Sequence, residues 1–424
     1  MAHSRRIFLR NSALAMVGIG SAPLWLQRAA RAANTDVDKV GPGKRKKVLV
    51  AIFQRGAADG LNIVVPHGEA RYYDLRPSIF VPRPTVAAAG DCAIDLDGFF
   101  GLHPSLAPLK PLWDSKQLAI VHAAGSPDPT RSHFDAQDYM ESGTPGLKAT
   151  SDGWLNRALP PVTGKASPVR AVSLGANLPR TLKGLNNAVA VESLNNFAVK
   201  DSAASKVLES MYGASHDTIL GGTGRETFDA VSILQSIEKT PYRPAESAHY
   251  PAGKFSDSMK QIAQLIKADV GVEVAFADIG GWDHHVNEMG PKPSVGQLAN
   301  RLTEFGASLA AFCQDLGDRM EDVVVVTMSE FGRTAKENGN RGTDHGHANV
   351  MFAMGGAVQG GKVYGKWPGL AAEQLYEQRD LAITTDFRDV LSEAVSRHLG
   401  NPSLKPVFPN YAASPEKFRG YLKA

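Results

Sequence analysis

At 424 residues, with 43% hydrophobic and 21% charged side chains, 41 Gly and 26 Pro, the chain has the composition of a loop-rich globular protein and not of a disordered one. Its formal charge of +3 comes largely from the first 32 residues, whose five arginines (Arg5, Arg6, Arg10, Arg28 and Arg31) face no acid; without them 41 Lys+Arg stand against 43 Asp+Glu, and nothing else in the chain argues for a nucleic-acid surface. Two cysteines, Cys92 and Cys313, are too few for an iron–sulfur or thiolate-zinc centre.

The N-terminus reads as an export signal. "HSRRIFLRNS" (residues 3–12) precedes a 14-residue apolar run, "ALAMVGIGSAPLWL", and an A-x-A pattern ending at Ala32. The run falls short of the ~20 residues that span a bilayer, so cleavage is expected and no membrane span after it. Paired Arg5 and Arg6 followed by Phe8 and Leu9 have the form of the twin-arginine pattern, which predicts export through the twin-arginine machinery to a periplasmic or secreted location. Residues 33–47 are polar and read as a tether, with Lys44 to Lys47 its solvated end.

From residue 48 to 424 the pattern is that of one α/β domain. "KVLVAIFQRGAADGLN" runs from a continuous apolar stretch into a glycine-rich turn carrying Asp59, as a buried strand with a functional loop does. A second strand is predicted near 117–123, followed by a Pro-containing loop and a helix starting near Ser132. The segment 175–255 is turn-rich and is expected to be an insertion with short helices, a lid over the site. A third strand near 271–278 leads to the loop "GGWDHH". Residues 296–318 then place Leu298, Leu302, Phe305, Leu309 and Phe312 on one helical face, and the four-valine strand "DVVVVTMSEFGRT" ends at Glu330 and Arg333. Such alternation predicts a mostly parallel sheet with helices on both faces, and in that fold ligands gather at the carboxyl ends of the strands.

Two loops carry histidine beside carboxylate: Asp283 with His285, and Asp344 with His345 and His347. Carboxylates and neutral imidazoles suit zinc, manganese or a similar divalent cation. The blander reading of both loops is a turn whose Asp caps a helix while the histidines face water. Ser132, with Asp135 three residues on, resembles a capping box; a helix start also stabilises a nucleophile and an anion, so Ser132 and then Thr130 are the nucleophile candidates. Glu330 is expected as a ligand or base and Arg333 as an oxyanion clamp. "MGGAVQGGKVYG" lacks the spacing of either nucleotide-binding glycine motif and reads as a turn between extended segments.

Taken together, the signal, "FQRGAADGLN", "TRSHFDAQDYMESGTPG", "GGWDHH", "SEFGRT" and "GTDHGHAN" resemble the exported bacterial family called domain of unknown function 1501, over about residues 48–400. That family is similar to a distant branch of the alkaline phosphatase and sulfatase superfamily. The resemblance implies a three-layer α/β sandwich and a site with one or two metal ions. It also implies Asp59 as a ligand from the first strand's loop, Ser132 or Thr130 as nucleophile, and Asp283 and His285 as later ligands, with Glu330, Asp344, His345 and His347 competing for the remaining places. "SPDPTR" sets Ser126 one residue too far from Pro129 for a formylglycine sulfatase motif. The expected function is that of an exported metal-dependent hydrolase of phosphate or related esters, acting on a small-molecule or glycan-linked anionic ester. The rival readings are a non-catalytic exported binding protein with the same fold and, with only the export route behind it, a redox protein.

Overall fold

The computed structural model describes residues 45–88, 90–162, 166–194, 228–237 and 241–423. The segments expected to be a signal and, for the most part, a tether lie outside the described residues, and no helix within the described residues is long and apolar enough to cross a membrane.

Twelve strands are described: β1 (Val48–Gln54), β2 (Val64–Val65), β3 (Ile94–Asp95), β4 (Gly101–Leu102), β5 (Leu118–Gly125), β6 (Ala171–Leu174), β7 (Val189–Val191), β8 (Val274–Ile279), β9 (Val323–Ser329), β10 (Asn349–Gly355), β11 (Lys362–Tyr364) and β12 (Thr385–Asp386). Nine form the central sheet in the order β11-β5-β10-β9-β1-β8-β6-β7, with β12 also on β5. Only β10 runs against its neighbours; the other eight point the same way. The mostly parallel sheet expected from the sequence is therefore present. Strands β2, β3 and β4 form a small separate sheet.

Every residue of β1 is buried, which is why its sequence is continuously apolar instead of alternating. Val48, Val50 and Ile52 point into one core, while Leu49, Ala51 and Phe53 point into the other. The first core is covered by helices α2 (Lys254–Lys267) and α3 (Gln297–Leu316), which contribute Phe255, Met259, Leu302 and Phe305; the second is covered by α4 (Phe387–Glu393) and the short helix Trp154–Ala158. The result is a three-layer sandwich, in which each fully buried Val, Ile, Leu or Phe contributes about 1.5–3 kcal/mol of transfer free energy.

The predicted elements lie close to their expected places. Helix α1 (His133–Ser142) starts after Ser132, whose hydroxyl accepts the Asp135 amide, and stops at Gly143, whose φ of 70° is left-handed. "MGGAVQGGKVYG" is the turn from β10 into β11. Within the segment 175–255, β7 joins the sheet edge and residues 228–237 are helical, packing Leu234 on the first core; residues 195–227 and 238–240 lie outside the described residues. Cys313 is buried on α3, and Cys92 is buried too; both are free thiols.

Three histidines are built into this scaffold as neutral rings. His122 Nε2 lies 3.0 Å from the Val64 carbonyl and His398 Nε2 2.9 Å from the Val48 carbonyl, while His103 accepts the Ser105 amide at a helix start. Burial outweighs those contacts and pushes His122 and His398 down to about 4 and His103 to about 3. Because the unfolded chain takes up protons near pH 6.5 and the folded chain does not, stability is expected to decline as pH falls from 6.5 towards 4. Urea unfolding at pH 7 and pH 5 checks this, and a smaller decline in His398→Gln would assign part of it to that ring.

Candidate metal centre

The carboxyl ends of β1, β5, β8 and β9 share one edge of the sheet, and because β10 is antiparallel, the loop before it opens on the same edge. The loop "GTDHGHAN" is pinned there against "FGRT": the Gly332 amide donates to the His347 carbonyl at 2.9 Å, the Gly346 amide donates to the Gly332 carbonyl at 2.8 Å, and Arg333 and His345 form an antiparallel bridge. Both glycines are required by the closeness of the two chains. A Cβ on Gly346 would sit 2.3 Å from the Arg333 carbonyl group, and one on Gly332 would sit 1.8 Å from the Ala348 oxygen.

This docking draws together three imidazoles and a carboxylate from three segments. His133 Nε2 and His285 Nε2 each lie 3.0 Å from His345 Nε2, and Asp283 Oδ1 lies 2.9 Å from His285 Nε2 and 3.2 Å from His345 Nε2; the other Asp283 oxygen is 3.4 Å from His133 Nε2. Among the described residues, the group that closes within one ion's reach is His133, Asp283 and His345, with His285 beside it.

The outward-facing nitrogens decide what the centre can hold. His133 Nδ1 meets Glu330 Oε1 at 2.8 Å, His345 Nδ1 meets the Arg131 carbonyl at 2.9 Å, and His285 Nδ1 meets Asp344 Oδ1 at 3.3 Å. All three partners are acceptors, so each Nδ1 carries a proton and each neutral ring turns a bare Nε2 inward. With every Nε2 bare, the short contacts set lone pair against lone pair, so positive charge, as added protons or as a cation, must lie among them. A single divalent cation supplies it with all three rings neutral. Three imidazole nitrogens and one carboxylate, each ring braced from behind by an acceptor, form a donor set that fits zinc.

The acids around the centre are held ionised. Burial opposes the charge on Asp283, but the Arg333 guanidinium at 2.6 Å, helped by His285 and His133, holds its carboxyl down at about 2. Glu330 is almost fully buried, yet hydrogen bonds from His133, from Gln137 and from the Gly56 amide keep it below the usual carboxylate range. In return the Glu330 hydrogen bond raises His133 above its ordinary value, whereas burial lowers His345.

Several residues expected in the site lie elsewhere or act differently. Asp59 is buried and clamped by both terminal nitrogens of Arg76, which leaves its carboxylate committed to that pair and no donor to the cluster. Beside it, Glu288 is buried, and burial and the Asp59 charge raise it well above the carboxylate range. His347 is buried and stacks on Tyr376 with centroids 4.2 Å apart. Arg333 is fully buried, and its guanidinium donates to Ala57 O, Thr343 O, Gly56 O, Trp282 O and Asp283 Oδ1. With those donors committed it is no oxyanion clamp; it fixes Asp283 and the loops. Glu330 and Asp344 stand behind the rings of His133 and His285. Thr130 Oγ1 accepts the Ser132 amide at 3.2 Å, and Ser132 is bracketed in the chain by Arg131, whose carbonyl holds His345, and by His133.

His133 was not among the residues that sequence reasoning singled out. The capping pattern on Ser132 and Asp135 explained "TRSHFDAQ" without chemistry. The usable signal was the spacing of His133 and Gln137: four residues apart on one helix face, they both reach Glu330 Oε1, at 2.8 and 2.9 Å.

A family model described as "Protein of unknown function (DUF1501)" matches residues 46–402. No curated protein matches the chain. Among solved structures it is similar to the PsFucS1 sulfatase from Pseudoalteromonas sp. (13% identity, 90% of this chain and 72% of that one, TM-score 0.37) and to the C-terminal periplasmic domain of EcEptC from Escherichia coli in complex with Zn (9% identity, 74% and 73%, TM-score 0.33).

Replacing Arg333 by Met strips four carbonyls and Asp283 of a buried cation. The variant is expected to lose about 3–5 kcal/mol of unfolding free energy, measured by denaturant titration, with Arg333→Lys recovering only part because a lysine cannot span the same acceptors.

Proposed function

The chain belongs to the DUF1501 family of proteins of unknown function, and we propose that this member is an exported, zinc-dependent hydrolase of phosphate or related esters. The observation that carries the metal is the convergence of His133, His285 and His345 Nε2 with Asp283 Oδ1, each ring having its Nδ1 taken by an acceptor. Three nitrogens and one oxygen favour zinc over manganese, whose preference is for oxygen ligands. The ester class is supported by the motif resemblance to the alkaline phosphatase and sulfatase superfamily, and export by the N-terminal signal pattern.

A divalent cation at this centre supplies positive charge that stabilises an anionic group and eases deprotonation of a nearby hydroxyl. The chain's own residues do the rest. Glu330, the Arg131 carbonyl and Asp344 orient the three rings, and Arg333 holds Asp283 ionised and in place. Ser132 is the proposed nucleophile: its oxygen accepts the Asp135 amide at the start of α1, leaving its own proton free to depart, and the unsatisfied amides of the first turn favour the negative charge that develops there. Thr130 stands behind it as the second choice.

A second reading, a metal-holding protein without turnover, is favoured by one fact: the guanidinium of Arg333 is spent on structural acceptors and is not offered to a substrate.

Elemental analysis of protein purified without chelator is expected to give about one zinc per chain. His133→Ala, His345→Ala and Asp283→Ala should lose it, His347→Ala should keep it, and Asp344→Ala should weaken zinc affinity by about 10–100-fold through loss of the brace on His285. On a panel of aryl phosphate mono- and diesters and aryl sulfates, Ser132→Ala is expected to lower kcat by at least about 100-fold with zinc retained. Zinc without turnover of any ester would establish the second reading, and retention of zinc in the His133 and His345 variants would overturn both.

A further inference from the structure

Glu330 holds His133 from behind, and it is itself held. Its Oε1 takes three donors, His133 Nδ1 at 2.8 Å, the Gly56 amide at 2.8 Å and Gln137 Nε2 at 2.9 Å, while Oε2 faces the Ser329 hydroxyl at 3.0 Å. Gly56 and Ser329 belong to strand ends of the sheet; Gln137 lies one turn beyond His133 on α1 and ties the carboxylate to the helix that follows from that ring. An amide can face a carboxylate with its NH2 or with its oxygen, and only the first binds. Arg55 decides between them, because its Nη1 lies 2.9 Å from Gln137 Oε1 and a guanidinium only donates. A reversed amide would set donor against donor at Arg55 and acceptor against acceptor at Glu330. Arg55, the first residue past β1, is anchored in turn: its Nε donates to Asp278 of β8 at 2.6 Å, its Nη1 lies 2.9 Å from Glu141 of α1, and its guanidinium carbon stands 4.5 Å from the Phe53 ring centre. From Asp278 through Arg55, Gln137 and Glu330 to His133, every contact therefore has one permitted polarity.

We propose that Gln137 and Arg55 are positioning residues of the centre: Arg55 fixes which way the Gln137 amide faces, and that amide holds Glu330 against His133 Nδ1 so that Nε2 is aimed at the cluster. This rests on the reading of the cluster as a metal centre. With Arg55 gone the amide can turn its oxygen to Glu330, which drives the carboxylate off Nδ1 and leaves the ring without the partner that sets its angle. A packing role for residue 137 would depend on its size and shape, whereas this role depends on the donor it presents. Gln137→Glu keeps the shape and replaces the donor by an acceptor; Gln137→Met keeps the length and removes the polarity.

The test is the zinc affinity of the full-length protein, measured by competition with a chromogenic chelator. Gln137→Met and Arg55→Met are each expected to weaken zinc about 10-fold, and Gln137→Glu about 100-fold, with Arg55→Lys, still a donor only, recovering part of the Arg55→Met loss. Asp138→Asn, next in α1 but paired with Arg180, should leave the affinity unchanged. Urea unfolding of every variant separates loss of metal from loss of fold, and the visible absorption of the cobalt(II)-loaded protein should shift in Gln137→Glu as the His133 nitrogen tilts away. In metal-free protein the His133 Nδ1 proton is expected as a downfield resonance, assigned by its absence from His133→Ala, and lost in Gln137→Glu. Gln137→Glu holding zinc as tightly as Gln137→Met, or either of them matching wild type, would overturn the positioning role, as would a downfield proton unchanged in Gln137→Glu. A wild type without zinc, in which that proton is present and Gln137→Glu removes it, would overturn the metal reading and leave the hold of Gln137 on Glu330 supported.

Discussion

One buried guanidinium holds the centre's loops in register. Arg333, just past the end of β9, reaches the carbonyls of Gly56 and Ala57 after β1, those of Trp282 and Thr343, and the carboxylate of Asp283 after β8. A charge taken out of water is tolerable only when its donors are met, and here the acceptors come from three separate loops. The same bond that satisfies the arginine ionises Asp283 and aims it at the histidines. Stability and site geometry are therefore the same interaction seen from two sides.

Around this cation a second layer sets the chemistry. Glu330, Asp344 and the Arg131 carbonyl are not aimed at the centre of the cluster; they stand behind the rings and, by accepting from Nδ1, decide that Nε2 is bare. Electron-rich nitrogens crowded at 3.0 Å repel unless positive charge lies among them. That requirement is what motivates the proposal of a cation at this centre. The reversed strand β10 matters here, since the loop that precedes it, with His345, opens on the edge where the parallel strands end.

The buried pair Asp59 and Arg76 shows the same economy applied to folding. Asp59 sits in the loop after β1, where an incoming ligand would be looked for, but Arg76 arrives from a short helix 17 residues on and occupies both its oxygens. Burial and the Asp59 charge push the neighbouring Glu288 well above the carboxylate range, against the opposing pull of Arg76 and Arg333.

What the sequence determined by itself was everything that depends on short-range pattern: the doubly buried β1 and β9 from unbroken apolar runs, the helical face of α3 from its period, the start of α1 from Ser132, and the loops holding Asp283, His285, Asp344 and His345 from histidine beside carboxylate at strand ends. Tertiary structure decided which of those groups meet. His133 was hidden by a capping motif that accounted for its neighbours. His347 and Asp59 had the right chemistry, but Tyr376 and Arg76, distant partners with no local signature, claimed them first. Arg333 was visible as a charge near the site, yet its role turned on how many carbonyls would surround it. A side chain's type and its local spacing are written along the chain; its partners are set by packing across the sheet, where residues hundreds of positions apart compete for the same hydrogen bonds.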